Sequence, residues 1–357
     1  MREQVREQLL GQARACAELG SPMYAELLAR AADDPGGIVA EVLGERTEIG
    51  FVLGMLGTVH RIVLEGRASD LAAHYPTAGG TKDPLDAWPA FRDVLVEHAA
   101  EVSAGLADPP QTNEVGRAAP LVGGLLTVVA ATGLPVRLLE IGASAGLNLR
   151  ADRFRILHER GGYGPSSSPH PPPVNGRAPL DSPDSPVVLP DAWRGALPPS
   201  VPLTVVERRG CDLAPLDPAS PEARLRLLSY VWPDQTARVE RLRAAFEVAA
   251  RVPATVVRAG AAEFLDGLAP APGAVTVVWH SSMQPYMSED EAALVVRHVE
   301  NAGAAATGDS PIAYLTFEAR DGSRLESVQV VALRTWPDGN RRVLGEGPSH
   351  GLPITWF

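Results

Sequence analysis

Cysteine is scarce. The chain has only Cys16 and Cys211, too few for a disulfide framework, and no CxxC or Cys/His grouping offers a zinc ion its ligands. Basic clusters and basic-aromatic stripes are also missing, and 32 basic against 43 acidic residues leave a formal net charge of −11. Nucleic acid, whose phosphates demand positive charge, is therefore not an expected partner. Long apolar runs are missing as well. The longest extends from Leu121 into Leu134, is interrupted by Gly123 and Gly124, and is stopped by Gly133 and Pro135. A membrane span needs about 20 consecutive apolar residues, so none is expected. The N-terminal run MREQVREQLLGQARACAEL reads as an amphipathic helix without the apolar core of a signal peptide, and the expected location is the cytoplasm. No Gly-Lys-Ser/Thr sequence supports a P-loop, and the spacing of Gly142 and Gly146 does not give the GxGxxG of a nicotinamide dehydrogenase.

What is present is a chain of 357 residues, long enough for two structural units, with an ordinary 45% of hydrophobic and 21% of charged residues. Residues 1–130 read as mostly helical, with helices over 23–32, 49–65, 88–105 and 118–131, the first of them capped by the run Gly20, Ser21, Pro22. From residue 131 onward, strands alternate with helices. Runs at 136–139, 203–206, 254–257, 274–279 and 312–317 have strand composition, and 221–229, 235–251 and 289–299 have helical spacing. Around the turn 337–340, residues 328–334 and 341–344 signal an antiparallel hairpin. The expected architecture is α/β, a mostly parallel Rossmann-like sheet with an antiparallel C-terminal hairpin, preceded by a helical domain over 1–130. Residues 161–200, with Pro171, Pro172, Pro173 and many serines, read as an insertion holding at most a hairpin or edge strand.

The organising stretch is 136–154, VRLLEIGASAGLNLRADRF: an apolar run, a turn of small residues from Glu140 to Gly146, and a return to helical spacing from Leu147. Strand, small-residue turn and helix together bring backbone close to a ligand. Further back lies the polar run Gln111, Thr112, Asn113, Glu114, Val115, Gly116, Arg117. It reads either as a helix cap or as a polar cluster facing a pocket.

The order of elements from residue 136 to the C-terminus resembles the class I S-adenosylmethionine-dependent methyltransferases. The superfamily's first motif, acidic-x-Gly-x-Gly-x-Gly, corresponds to Glu140, Gly142, Ser144 and Gly146, with Ser144 at the middle glycine. Its second, G-x-D-x-S-P, corresponds to Gly210, Asp212, Leu213 and Pro215, with Asp212 in the place of the acid that holds the ribose hydroxyls. In the place of its Gly-Asp-Ala near the adenine stand Gly260, Ala261 and Ala262, with Glu263 as a substitute acid. The resemblance implies S-adenosylmethionine as cofactor, bound by Glu140, Gly142, Ala143, Ser144, Gly146, Asn148, Asp212, Leu213, Ala261 and His280. It also implies a reaction zone after the fourth strand, where His280, histidine being the commonest general base, and Tyr286 are candidates for moving a proton, together with Glu114. Tyr24, Gln111, Asn113, Glu114 and Arg117 are the candidates for holding the methyl acceptor. The runs QTNEVGR, LLEIGASAGLNL and VWPDQ further resemble a bacterial domain-of-unknown-function family over nearly the whole chain.

Three functions follow. The first is methyl transfer to a small molecule, which needs alignment more than a protein nucleophile. The second is cyclisation or lysis of the cofactor with release of methylthioadenosine. The third is a binding protein that has kept the fold and lost catalysis. No metal is expected, a small molecule is the expected partner, and a homodimer is left open.

Overall fold

In the computed structural model, which describes residues 3–34, 36–44, 46, 50–107, 109–164, 185–320 and 328–357, the β-rich runs of the second half pair into one large sheet. The chain divides into two units, Met1–Thr112 with Ser220–Leu242, and Asn113–Ala219 with Arg243–Phe357. This division differs from the contiguous partition at residue 130 in two respects: the helix that ends near 130 belongs to the second unit, and 220–242 belongs to the first.

The first unit is helical: α1 (Glu3–Glu18), α2 (Pro22–Ala32), α3 (Ile38–Leu43), α4 (Phe51–Leu64), α5 (Ser69–Ala72), α6 (Trp88–Glu97) and α7 (Ala99–Gly105). Leu9, Met23, Leu27, Leu28, Met55 and Phe91 are all buried in its core. The expected helix over 88–105 is broken at His98, and α3 and α5 were not foreseen. The detached segment 220–242 is stitched to this core by polar contacts. Ser21 Oγ accepts from Tyr24 N–H at 3.3 Å and donates to Asp234 Oδ1 at 2.7 Å, while Met23 N–H donates to Asp234 Oδ2 at 3.1 Å. Gln235 Nε2 donates to Leu19 O at 2.8 Å. The VWPDQ run is therefore a staple of the helical unit. His60 is fully buried beside it, with Nδ1 on Ser229 O at 3.1 Å and Nε2 on Thr77 Oγ1 at 2.9 Å. A carbonyl can only accept, so Nδ1 carries the proton of a neutral ring.

The second unit opens with α8 (Ala118–Thr132). Its strands are β1 (Val136–Ile141), β2 (Arg155–His158), β3 (Gly161–Tyr163), β4 (Val188–Leu189), β5 (Trp193–Gly195) and β6 (Val205–Asp212). They continue with β7 (Thr255–Arg258), β8 (Val275–Ser281), β9 (Ile312–Ala319), β10 (Val328–Trp336), β11 (Arg341–Pro348) and β12 (Ile354–Trp356). Among the described residues the large sheet has nine strands in the order β5-β12-β11-β10-β9-β8-β1-β6-β7. The run β7-β6-β1-β8-β9 is parallel, and β10, β11 and β12 add an antiparallel meander. Helices α9 (Pro221–Ser229), α10 (Thr236–Ala249), α11 (Ala261–Phe264) and α12 (Glu289–Ala304) complete the chain, the division between units falling within α10. Ser220 and Ser288 cap α9 and α12 by accepting from Ala223 N–H and Glu291 N–H.

Two local readings are corrected. The strand read at 203–206 runs from 205 to 212, which puts Glu207 inside it, paired with Arg137 at 2.9 Å, and Asp212 at its end. The helix read from Leu147 is a 3-10 turn, Asn148–Arg153, with Arg150 at φ −109°. The cause is Arg150 itself. Its buried guanidinium donates from Nη1 to Gly146 O and from Nε to Val252 O, both at 2.6 Å, and Leu149 N–H takes the same Gly146 carbonyl at 3.2 Å, so the carbonyl that an α-helix would offer to Arg150 N–H is already occupied twice. The backbone amide of Arg150 bonds Leu147 O at 3.2 Å instead. Within the Pro-rich insertion, β3 pairs with β2 as a hairpin and β5 joins the sheet edge beside β12. Residues 165–184 lie outside the described residues.

By length and composition Val115–Thr132 passes as a membrane span, but 72% of it is buried inside the fold. Its glycines explain the fit. A Cβ on Gly124 would lie 2.5 Å from Leu315 Cδ2, and one on Gly123 would collide with the Trp356 indole. Gly123→Ala should therefore lower the unfolding free energy by about 1–3 kcal/mol, although alanine is the better helix former by roughly 0.5–1 kcal/mol. Urea unfolding of the full chain measures it.

Candidate functional site

In an open α/β sheet the ligand crevice lies outside the carboxyl ends of the strands, where the strand order reverses. Here that place is between β1 and β8, since β1 is followed through the chain by β6 on one side and, later, by β8 on the other. Glu140 and Trp279 are partners in the parallel register there, so their side chains leave the same face of the sheet. On the other side of β1, Glu140 is paired with Gly210, which adds no side chain.

Both residues are buried, and although the Trp279 indole N–H lies close enough to act on the Glu140 carboxyl, Glu140 Oε2 and Trp279 Nε1 make no hydrogen bond of ordinary geometry. Burial pushes the Glu140 carboxyl up to about 8. The neighbouring Trp279 N–H and the Arg150 guanidinium favour the charged form without offsetting it. Asn148 Oδ1, in the turn that follows β1, is a third buried atom without a partner. Leaving such groups unmet costs about 1–3 kcal/mol each, and native folds rarely keep several together without a reason.

The turn between Glu140 and Asn148 is built for close approach. Gly142 and Gly146 have φ of +67° and +66°, and Ser144, at the middle position, has +52°. Two of these are conformations that only glycine adopts without cost. Ala143 N–H donates to Cys211 O at 2.9 Å, and Ala143 Cβ packs over Gly210. Asp212 closes the turn. Its Oδ2 accepts from Ser144 N–H at 2.8 Å and its Oδ1 from Ala214 N–H at 2.9 Å. Leu213, next in the chain, is exposed, and its carbonyl accepts from Arg258 Nη1 at 2.8 Å.

The QTNEVGR run is divided. Gln111 is buried in the first unit. Asn113 Oδ1 accepts from Leu147 N–H at 3.0 Å, and the carbonyl of Glu114 accepts from Asn148 Nδ2 at 3.1 Å. The Glu114 side chain caps its own 3-10 turn at Gly116 N–H, 3.0 Å away. Arg117 donates to Ser349 O at 3.0 Å and to Ser281 O at 3.4 Å. The cap reading applies at Glu114, while Asn113 and the Glu114 carbonyl brace the turn after β1. Tyr24 belongs to the first unit, fully buried in the helical core with its hydroxyl donating to Leu56 O at 3.4 Å.

His280 follows Trp279 and therefore projects from the opposite face. It is fully buried with both ring nitrogens engaged, Nδ1 with Glu318 Oε1 at 2.6 Å and Nε2 with the Tyr314 hydroxyl at 2.7 Å. The structure does not bring it beside Glu140. Tyr286 is exposed, in the 3-10 turn Gln284–Tyr286 after β8. Ala261 is buried, its N–H donating to Glu291 Oε1 at 2.9 Å, and Glu263 accepts from Gly260 N–H at 3.3 Å as the cap of α11. Glu263 is thus spent on the helix start, and the acid near the end of β7 is Glu291, from α12.

Sequence reading places Trp279 and Met283 in the zone after the fourth strand without giving them a role, and it misses Glu291 and Glu318 as members of this region. Trp279 had a usable signal, an aromatic one residue before a polar loop, but its pairing with Glu140 exists only once the strand order is known. Both cysteines are buried, with burial pushing each thiol up to about 12, so neither serves as a thiolate nucleophile. No group of three or more His, Cys, Asp or Glu among the described residues could hold a metal ion. A cavity of about 460 Å³ lined by Thr127, Val275, Ile312, Trp336 and Asp338 lies at the amino ends of β8 and β9 and contains none of the expected site residues.

The model of a bacterial family, described as "uncharacterized protein conserved in bacteria (DUF2332)", matches residues 6–356. No curated protein and no solved structure matches the chain.

Proposed function

The chain belongs to that bacterial family, and we propose that it is an S-adenosylmethionine-dependent transferase that methylates a small molecule. The observation that carries the reading is the buried pair Glu140 and Trp279 at the switch point, which make no hydrogen bond of ordinary geometry, beside a turn with positive φ at Gly142, Ser144 and Gly146. A buried acceptor and a buried donor at the mouth of the sheet suit a ligand carrying both a cationic or hydroxylic donor and an acceptor. The cofactor's amino-acid end and ribose fit this set. Glu140 would hold the amine, the turn 142–146 would pass close under the ligand, and Asp212 would take the ribose diol. When bound, the cofactor supplies a methyl group made electrophilic by its sulfonium. The protein's part is alignment and exclusion of water, worth roughly 7–11 kcal/mol in favourable cases.

One observation favours cyclisation or lysis of the cofactor as a second reading. A carboxyl that exchanges its proton near pH 8 is suited to take a proton from an amine. Products separate the two: S-adenosylhomocysteine signals transfer and methylthioadenosine signals cyclisation or lysis. Binding without either product leaves the third reading, a binding protein.

Asp212 tests the site directly. Asp212→Asn should weaken S-adenosylhomocysteine binding by about 1.5–3 kcal/mol in calorimetry, as loss of charge-assisted bonds requires. Asp212→Ala should in addition destabilise the fold by about 1–3 kcal/mol, because Ser144 N–H is left buried without its acceptor. Unchanged affinity in Asp212→Asn would remove Asp212 from the site.

A further inference from the structure

The face of Gly142 is already covered. A Cβ on this glycine would collide with Met283 Sδ and lie 2.7 Å from both Cγ and Cε of the same side chain. The thioether therefore rests in the hollow left by a glycine with φ +67°, on the turn where a ligand must approach most closely. The segment that delivers it is firmly placed. Ser282 has φ +53°, donates its N–H to Phe317 O at 3.0 Å, and pairs its hydroxyl with the Gln329 amide, 2.7 Å from Nε2. Met283 N–H donates to Glu318 Oε1 at 2.8 Å and Gln284 N–H to Glu318 Oε2 at 3.4 Å. The same Oε1 accepts from His280 Nδ1 at 2.6 Å. One buried carboxylate thus orients His280 and two consecutive amides of the segment that covers the turn.

We propose that Met283 gates the turn site: a ligand that takes the face of Gly142 must displace the Met283 side chain, and Glu318 is the positioning residue that returns it. The inference rests on the proposed reading for a ligand at this turn and for the choice of probe. A methionine suits the task, since its three rotatable bonds let it leave and refill an irregular hollow at small cost. While it is seated the binding-competent state is a minor fraction, and apparent affinity falls by that fraction. Shortening the side chain therefore tightens binding, and leucine, with comparable bulk, does not.

The test uses the full chain labelled with 13C at the methionine methyl groups, five residues in all, with the Met283 resonance assigned from Met283→Leu. The probe is S-adenosylhomocysteine. The gate requires that the probe move the Met283 methyl signal, that Met283→Ala bind it about fivefold tighter or more, and that Met283→Leu stay within about twofold of wild type. Binding that leaves the Met283 signal unmoved, or weaker binding by Met283→Ala, overturns it. If no variant binds the probe, the cofactor reading fails, and the gate is judged without ligand. Glu318→Gln must then shift the Met283 methyl signal and speed its oxidation by peroxide severalfold, while the other methionines keep their rates. Identical signals and rates in wild type and Glu318→Gln overturn the gate whatever the ligand is.

Discussion

Glu140→Gln is expected to make the free protein more stable at pH 8 and to weaken ligand binding by about tenfold or more. In the folded chain the Glu140 carboxyl keeps its proton up to about 8, against an ordinary value of 4.5. A raised carboxyl contributes its full stability only below the unfolded value and loses it as pH rises toward the folded one. Wild type should thus lose roughly 4–5 kcal/mol between pH 4.5 and 8 from this group alone, and Gln, which cannot ionise, should not. Denaturant unfolding at several pH values reads the difference directly. Equal pH profiles in the two proteins would mean that the carboxyl is solvated. The same linkage acts on binding. A cation that prefers the ionised carboxyl must wait for the proton to leave, so affinity should rise by up to about tenfold per pH unit below 8 and flatten above it.

Acidification should loosen the helical unit through His60. Burial lowers this ring to about 4 from 6.5, the bonds to backbone carbonyls opposing without compensating. A depressed histidine contributes stability that is complete above the unfolded value and disappears as pH falls through the folded one. Between pH 6.5 and 4 the expected loss is roughly 3 kcal/mol. His60→Ala should destabilise the unit at every pH by about 3–5 kcal/mol, through the cavity and the abandoned Ser229 carbonyl, and should flatten this part of the pH profile. Thermal unfolding followed by circular dichroism checks both; a wild-type profile flat from pH 6.5 to 4 would place His60 in water.

These two residues also mark what could and could not be read from the sequence. Glu140 was legible because a strand, an acid and a run of small residues are contiguous, and period and composition are local properties. The parallel strands at 136, 275 and 312 were legible for the same reason. His60 carried no signal, since its partners lie at 77 and 229 and only the folded chain brings them together. The discontinuous first unit was hidden likewise: the helical spacing of 221–229 says that a helix forms, not which core receives it. Failure at Leu147–Phe154 was of another kind. The apolar spacing was right, but Arg150 turned its guanidinium onto Gly146 O and captured the carbonyl an α-helix needed. His280 was noticed for its chemistry, yet its burial between Glu318 and Tyr314 depends on the pairing of β8 with β9.

The central claim is that the turn after β1 binds an S-adenosyl ligand through Glu140. It is tested most directly by calorimetric titration of S-adenosylhomocysteine into the wild-type chain and into Glu140→Gln at pH 8. The expected result is one site per wild-type chain and affinity reduced by about tenfold or more in Glu140→Gln, the loss of one charge-assisted bond. No heat of binding in wild type, or equal affinity in the two proteins, would contradict it.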